Sequence, residues 1–192
     1  MSSHLLLVTF VGVPGSGKTT FGKELAKQLG AVFLNNDAIR LSMWGSHEAV
    51  LATHETKQAR VHANALTYGA LDYATAQAMH AGYSVVYDCN ANKKVDRANM
   101  ERIAREAGGM SIVVRIRTPE LLAIERAQQR RLTNEYLRMK PEKAEEVVMR
   151  FAREIQEPDD DERVIEISGE IPFQQQYDLF SKKLAEFSIV QC

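Results

Sequence analysis

The sequence predicts an α/β protein built around a mainly parallel sheet. Three observations predict it. Short apolar runs alternate with longer segments of helical spacing. The first apolar run, Leu5–Val11, is continuous rather than alternating, so both faces of that strand must be covered, as in a parallel sheet under helices. The first run ends in a glycine-rich turn that opens straight into a helical segment. With 192 residues the chain is long enough for a full core, and one domain spanning 1–192 is expected.

Each element has its own signal. Leu5–Val11 is the first buried strand. From Phe21 to Leu29, apolar residues at 21, 25, 26 and 29 give helical spacing, and Gly30 supplies the C-cap. Ala31–Leu34 is a second short strand. Glu55 to His80 is Ala-rich, is interrupted only by Gly69, and reads as one long helix or two. Tyr83–Tyr87 is the third strand and ends at Asp88. Val95–Ala107 is helical and closes at Gly108-Gly109. Met110–Ile116 is the fourth strand. Thr118 is placed to cap a helix that starts at Pro119 and runs to about Leu132. A polar stretch, 133–141, precedes a helix over about Glu142–Ile155. The acidic run Asp159–Glu162 reads as a solvated loop. Val164–Ile167 is a fifth strand, and Phe173–Phe187 is a closing amphipathic helix.

Composition narrows the class. Apolar residues make up 45% and charged residues 26%, which excludes wholesale disorder and a disulfide scaffold. The net charge of −1 gives no overall basic excess for non-specific nucleic-acid binding. The charge is unevenly spread: residues 1–141 carry 18 basic and 12 acidic side chains, whereas 142–192 carry 6 and 13. An anionic ligand should therefore meet the first three-quarters of the chain. Cys89 and Cys192 have no metal-ligand spacing and read as free thiols. The N-terminal apolar run is only seven residues, without a basic lead, and no run approaches a membrane span. A cytoplasmic location is expected.

Gly12-Val13-Pro14-Gly15-Ser16-Gly17-Lys18-Thr19, followed by Thr20, carries the chemistry. It fits G-x-x-x-x-G-K-[ST] in full, between a strand and a helix. Glycines let successive backbone N–H groups point inward at a phosphate, and the helix N-terminus adds partial positive charge. Lys18 can reach the β- and γ-phosphates, and the Thr19 hydroxyl can ligate Mg²⁺. A chance match in a chain of this length is on the order of one in a hundred. Nucleotide triphosphate binding follows. Asn92-Lys93-Lys94-Val95-Asp96 misses the guanine-reading N-K-x-D by one residue, which favours ATP.

Further candidates sit at the carboxyl ends of the predicted strands, where an open parallel sheet keeps its ligand crevice. Asp37 and Arg40, three apart after the second strand, can face the same way on a first helical turn. A carboxylate there can take a proton from an attacking hydroxyl, and a guanidinium beside it can hold a phosphate. Asp88, at the end of the third strand, can hold Mg²⁺ directly or through water. Asn90 and Asn92 can hydrogen-bond a substrate. Arg126 and Arg130 share a helix face at i, i+4 and can close over a transferring phosphate as part of a helical lid at about 119–156. Arg131, Arg138 and Lys140 are weaker lid candidates. His4, His47, His54, His62 and His80 show no metal spacing, and Met43-Trp44 reads as a packing anchor.

With these residues in view, the sequence resembles the P-loop kinases grouped around the polynucleotide 5′-hydroxyl kinases. The carriers are the 12–19 loop, Asp37-x-x-Arg40, the run Asp88–Asn92 with Arg97, and the Arg126/Arg130 helix, together about two-thirds of the chain. The resemblance implies a P-loop NTPase three-layer sandwich with five parallel strands in the order 2-3-1-4-5. It implies Lys18 and Thr19 on MgATP, Asp37 as general base, Arg40 orienting the acceptor, and Arg126 or Arg130 in the lid. The implied reaction transfers the γ-phosphate to an acceptor hydroxyl, with the 5′-OH of a polynucleotide first. The same layout resembles small-molecule kinases, including antibiotic and zeta-toxin-like sugar-nucleotide kinases. A rival from another class is a nucleotide-dependent switch, which has no need of an acceptor base. This sequence contains no D-x-D-x-[TV] phosphatase motif, so a two-domain end-repair enzyme is not expected.

Overall fold

The computed structural model of the chain describes residues 5–130 and 140–189. His4, Arg131, Arg138 and Cys192 lie outside these residues, as does most of the polar stretch after Arg131.

β1 (Leu6–Val11) is buried along its whole length because it has a strand on each edge and helices on each face. β3 (Val85–Asn90) and β4 (Met110–Arg117) flank it. β2 (Val32–Asn35) and β5 (Val164–Ser168) form the outer edges. The order is β2-β3-β1-β4-β5 and every pairing is parallel. The expected sheet is the one observed.

Alternate residues of β1 feed two different layers, as the two-residue period of a strand requires. Leu6, Val8 and Phe10 face α1 (Lys18–Leu29) and α8 (Phe173–Ile189). Phe21 centres that layer, with ring centroids 5.8–6.3 Å from Phe10, Phe173 and Phe180. Each such ring contributes roughly 1.5–3 kcal/mol by leaving water. Gly22 lets α1 come this close: a Cβ there would stand 3.0 Å from the Phe10 ring. On the other face, Leu7 packs with Leu71 and Met79 of α4 (Lys57–His80) and with Met100 and Ile103 of α5 (Lys94–Glu106). α4 is one helix, with Thr56 capping Ala59 N–H at 3.1 Å.

A third apolar cluster ties α6 (Glu120–Gln129) and α7 (Ala144–Glu154) to Val13 through Ala123, Ala127, Ala144 and Val148. α2 (Asn36–Trp44) and α3 (His47–Ala52) complete the chain.

The first helical turn expected around Asp37 is present as the start of α2, with Asn35 Oδ1 accepting from Ala38 N–H. Three local expectations are corrected. Thr118 caps nothing; its hydroxyl donates to the Ser16 carbonyl at 2.9 Å. α6 stops at Gln129 rather than near Leu132, and Arg130 is already extended. Met43 is exposed rather than buried as an anchor.

Candidate functional site

The loop 12–17 joins β1 to α1, whose first turn carries Lys18, Thr19 and Thr20, beside the carboxyl ends of β2 and β3. The connection from β1 runs to β2 on one side and that from its neighbour β3 runs to β4 on the other, so a crevice opens at these strand ends. Gly15 must be glycine twice over. Its φ is +82°, and a Cβ would fall 2.1 Å from the Ala123 carbonyl oxygen of α6. Val13 and Ser16 are buried under the loop, which anchors it to α6 and β4.

Lys18 is buried. Its ammonium donates to the carbonyls of Gly12 (2.9 Å) and Val13 (2.7 Å) and to Ser16 Oγ (3.4 Å). Burial pushes its pKa down to about 8; the Asp88 carboxylate pulls it back up and Arg130 adds to the fall. A phosphate placed here would restore the lost charge compensation.

Asp88 is buried near the carboxyl end of β3, which runs two residues further than expected, to Asn90. It accepts a 2.6 Å hydrogen bond from Asn35 Nδ2 and one from the Thr19 hydroxyl. Burial raises its pKa, against the pull of those donors and Lys18. A hydroxyl and a carboxylate side by side are a hard oxygen pair. That donor set fits Mg²⁺, which takes one or two protein oxygens and fills its shell with phosphates and water. Among the described residues no group of three or more His, Cys, Asp or Glu could hold a metal by itself.

Across the cleft, α2 presents Asp37 and Arg40 together, as their spacing requires. Asp37 Oδ1 stands 3.8 Å from Arg40 Nη1, and Oδ2 stands 3.5 Å from Arg130 Nη2. Arg40 is buried. Asn64 of α4 accepts from its Nη2 at 2.9 Å, and its guanidinium lies 6.0 Å from the centre of the Tyr68 ring. His54 lines the same end. Its pKa is lowered, first by burial and then by the charges of Arg40 and Arg60.

Arg126 and Arg130 do not act as one face. Arg126 Nη1 donates to the Gly169 carbonyl after β5 at 2.9 Å, whereas Arg130, beyond the helix end, reaches Asp37. Pro14, Gly15, Gly17, Lys18, Thr19, Thr20, Asp37, Arg40, Asp88, Arg126 and Arg130 all border one cleft of about 890 Å³. Gly12, Val13 and Ser16 support it from behind. Asn90 borders the cleft; Asn92 does not, because its amide is committed to Gly12.

This strand–loop–helix geometry belongs with a matching sequence pattern: residues 7–158 match the AAA domain family. The chain belongs to that family. No curated protein matches it by sequence. Solved structures do share the fold of this AAA domain. One is a sugar kinase from Janibacter sp. HTCC2649, with TM-score 0.67, 20% identity and 95% of each chain covered. Another is a gluconokinase from Sinorhizobium meliloti 1021, with TM-score 0.63, 20% identity, and 94% of this chain and 91% of that one covered. A third is a shikimate kinase from Aquifex aeolicus vf5, with TM-score 0.63, 16% identity, and 95% and 98% covered. At these identities the likeness establishes the fold, a P-loop kinase sheet in the order 2-3-1-4-5.

Sequence reasoning passed over Asn35 in the AAA domain's cleft and, behind the cleft, the residues Asn64 and Tyr68 that hold Arg40. Asn35 has two partners, one in the α2 cap and one on Asp88, and only its place at a strand end hinted at either. Asn64 and Tyr68 lie in the middle of a long helix, where nothing in the pattern singles them out.

Proposed function

We propose that the chain is an ATP-dependent kinase that transfers the γ-phosphate of MgATP to a hydroxyl of a small-molecule acceptor. One observation carries this reading. A carboxylate, Asp37, stands between two guanidiniums across the same cleft from the phosphate loop, Lys18 and Asp88. A switch needs no such carboxylate; a transferase does.

The residues divide the work. The loop backbone and Lys18 hold the β- and γ-phosphates. Mg²⁺, held by Thr19 Oγ1 and Asp88, would supply charge neutralisation on the phosphate oxygens. Asp37 accepts the proton of the acceptor hydroxyl as its oxygen bonds to the γ-phosphorus. The bond from that phosphorus to the β–γ bridging oxygen breaks, and ADP leaves with the electron pair. Arg130, beside Asp37, and Arg126 stabilise charge on the transferring group from the lid side.

The acceptor end favours a small molecule over the 5′-hydroxyl of a polynucleotide. Arg40 is sealed there by Asn64, Tyr68 and Asp37, with His54 and Leu51 beside it. The cleft, about 890 Å³ for nucleotide and acceptor together, lies within the range of small-ligand pockets. The structural neighbours named above are kinases of a sugar, of gluconate and of shikimate, which supports the same choice.

The test is transfer of labelled γ-phosphate to a panel of polyols, sugars, hydroxy acids and a 5′-hydroxyl oligonucleotide, with Asp37→Asn alongside. Transfer to a small hydroxylated acceptor is expected. The variant should lose about 10²–10⁴-fold in rate while binding ATP within about twofold of the parent. Transfer to the oligonucleotide alone would replace the acceptor. Hydrolysis without transfer would favour the switch.

A further inference from the structure

The phosphate loop is braced from behind by a side chain that imitates a backbone rung. β3 pairs with β1 in register as far as Thr9 and Tyr87, then shifts so that Phe10 faces Asn90. Ala91 N–H donates to the Phe10 carbonyl at 2.9 Å. The next rung is not backbone. Gly12 N–H donates to Asn92 Oδ1 at 3.0 Å, and Asn92 Nδ2 approaches the Gly12 carbonyl at 3.4 Å. A carboxamide carries the same donor and acceptor as a peptide. It therefore continues the ladder past the point where the β1 backbone turns into the loop. The Gly12 carbonyl that it meets also receives Lys18 Nζ.

Asn92 is itself held from outside. Its own carbonyl accepts from Gln156 N–H at 2.8 Å, two residues past the end of α7. The segment that follows, 156–162, is strapped to α5. Arg97, almost wholly buried, donates to Glu162 through Nε (2.6 Å) and Nη2 (3.0 Å), to the Ala91 carbonyl (3.1 Å) and to the Glu157 carbonyl (3.3 Å). Lys94 pairs with Asp159 at 2.6 Å, and Lys94 N–H donates to Gln156 Oε1. The acidic run expected to be a solvated loop is thus bonded to α5. It connects α7 to β5 by way of the phosphate loop's brace.

We propose that Asn92 is a positioning residue for triphosphate binding: it sets the Gly12 peptide against which Lys18 rests, and the Arg97–Glu162 strap sets Asn92. The inference rests on the nucleotide-binding part of the proposed function and is independent of the acceptor. Neither Asn92 nor Glu162 borders the cleft. The strap makes the geometry of the phosphate loop depend on the segment leaving the lid helices.

The test compares affinities for ATP and for adenosine in the parent, Asn92→Ala and Glu162→Gln, with thermal melting of each. Adenosine lacks the phosphates, so a general loss of fold weakens both ligands, whereas mispositioning of Lys18 weakens only ATP. Asn92→Ala should weaken ATP on the order of tenfold, from one buried peptide left unpaired, with adenosine within about twofold. Glu162→Gln keeps the shape of the side chain and removes its charge; it should weaken ATP by about threefold with adenosine unchanged. Equal weakening of both ligands, or an unchanged ATP-to-adenosine ratio in Asn92→Ala, overturns the positioning role. An unchanged ratio in Glu162→Gln overturns the strap, and decides the matter alone should Asn92→Ala not fold. A parent protein that binds adenosine as tightly as ATP would instead overturn the nucleotide-binding reading.

Discussion

The phosphate wall of the cleft is held mostly by main chain, with the Asn92 carboxamide as its brace, and the facing wall is held by side chains. Lys18 rests on two loop carbonyls, and Gly15 lies against an α6 carbonyl, so most of that wall depends on backbone positions. Asp37 and Arg40 depend on Arg130, Asn64 and Tyr68, which come from the α6 end and from α4. A backbone-built wall tolerates few changes, which suits the ligand part that the proposed function assigns to it, the triphosphate. A side-chain-built wall can be altered one residue at a time without disturbing the sheet. Under the proposed function, the acceptor would be specified where substitution costs the fold least.

The largest test of that contrast is Lys18→Ala. It should reduce ATP binding and transfer together, by about 10²–10³-fold in transfer rate, as measured by nucleotide titration and labelled-phosphate transfer. Gly15→Ala comes next. It forces a side chain into a positive-φ position against the Ala123 carbonyl, so a lower melting temperature and weaker ATP binding should appear together. A Gly15→Ala protein with parental ATP affinity would break the claim that the loop leans on α6.

On the facing wall the expected effects are smaller and separable. Asn64→Ala removes the partner of a buried guanidinium and should raise the acceptor KM about tenfold, with the KM for ATP unchanged. Equal changes in both would erase the division between the walls. The smallest effect is electrostatic. His54 has a folded-state pKa below its usual 6.5, so the folded protein binds fewer protons there than the unfolded chain. Its contribution to stability is therefore lost as pH falls below about 6.5. Between pH 7 and pH 5.5 the parent should lose more of its melting temperature than His54→Gln does.

The legible parts of the molecule were those with local causes. The β1 run, the 12–19 loop and the α1 periodicity are consecutive in sequence, and one stretch of chain supplies both the strand and the anion site. The central strands were legible for the same reason, since a strand buried on both faces reads as an apolar run, whereas the edge strands β2 and β5 are only partly buried and left shorter signals. Asp37 and Arg40 were legible as a pair because they are three apart on one turn. The α2 cap, the stop of α6 at Gln129 and the bond from Thr118 to Ser16 were not, because each depends on a distant partner or on packing. Arg126 and Arg130 show the limit of helical spacing: i, i+4 places two residues on one face only while the helix lasts.

The sequence by itself determined an α/β sheet, a phosphate-binding loop and the candidates for the reacting groups. These follow from periodicity, glycine placement and residue chemistry, all of which act over a few consecutive residues. The tertiary structure alone decided which of those groups share a cleft and what holds each one. It sent Arg130 to Asp37, Arg126 to the Gly169 carbonyl, Asn64 to Arg40 and Asn92 to Gly12. Those pairs are separated by 24 to 93 residues in the chain, and only the packing of helices on the sheet brings them within hydrogen-bonding distance.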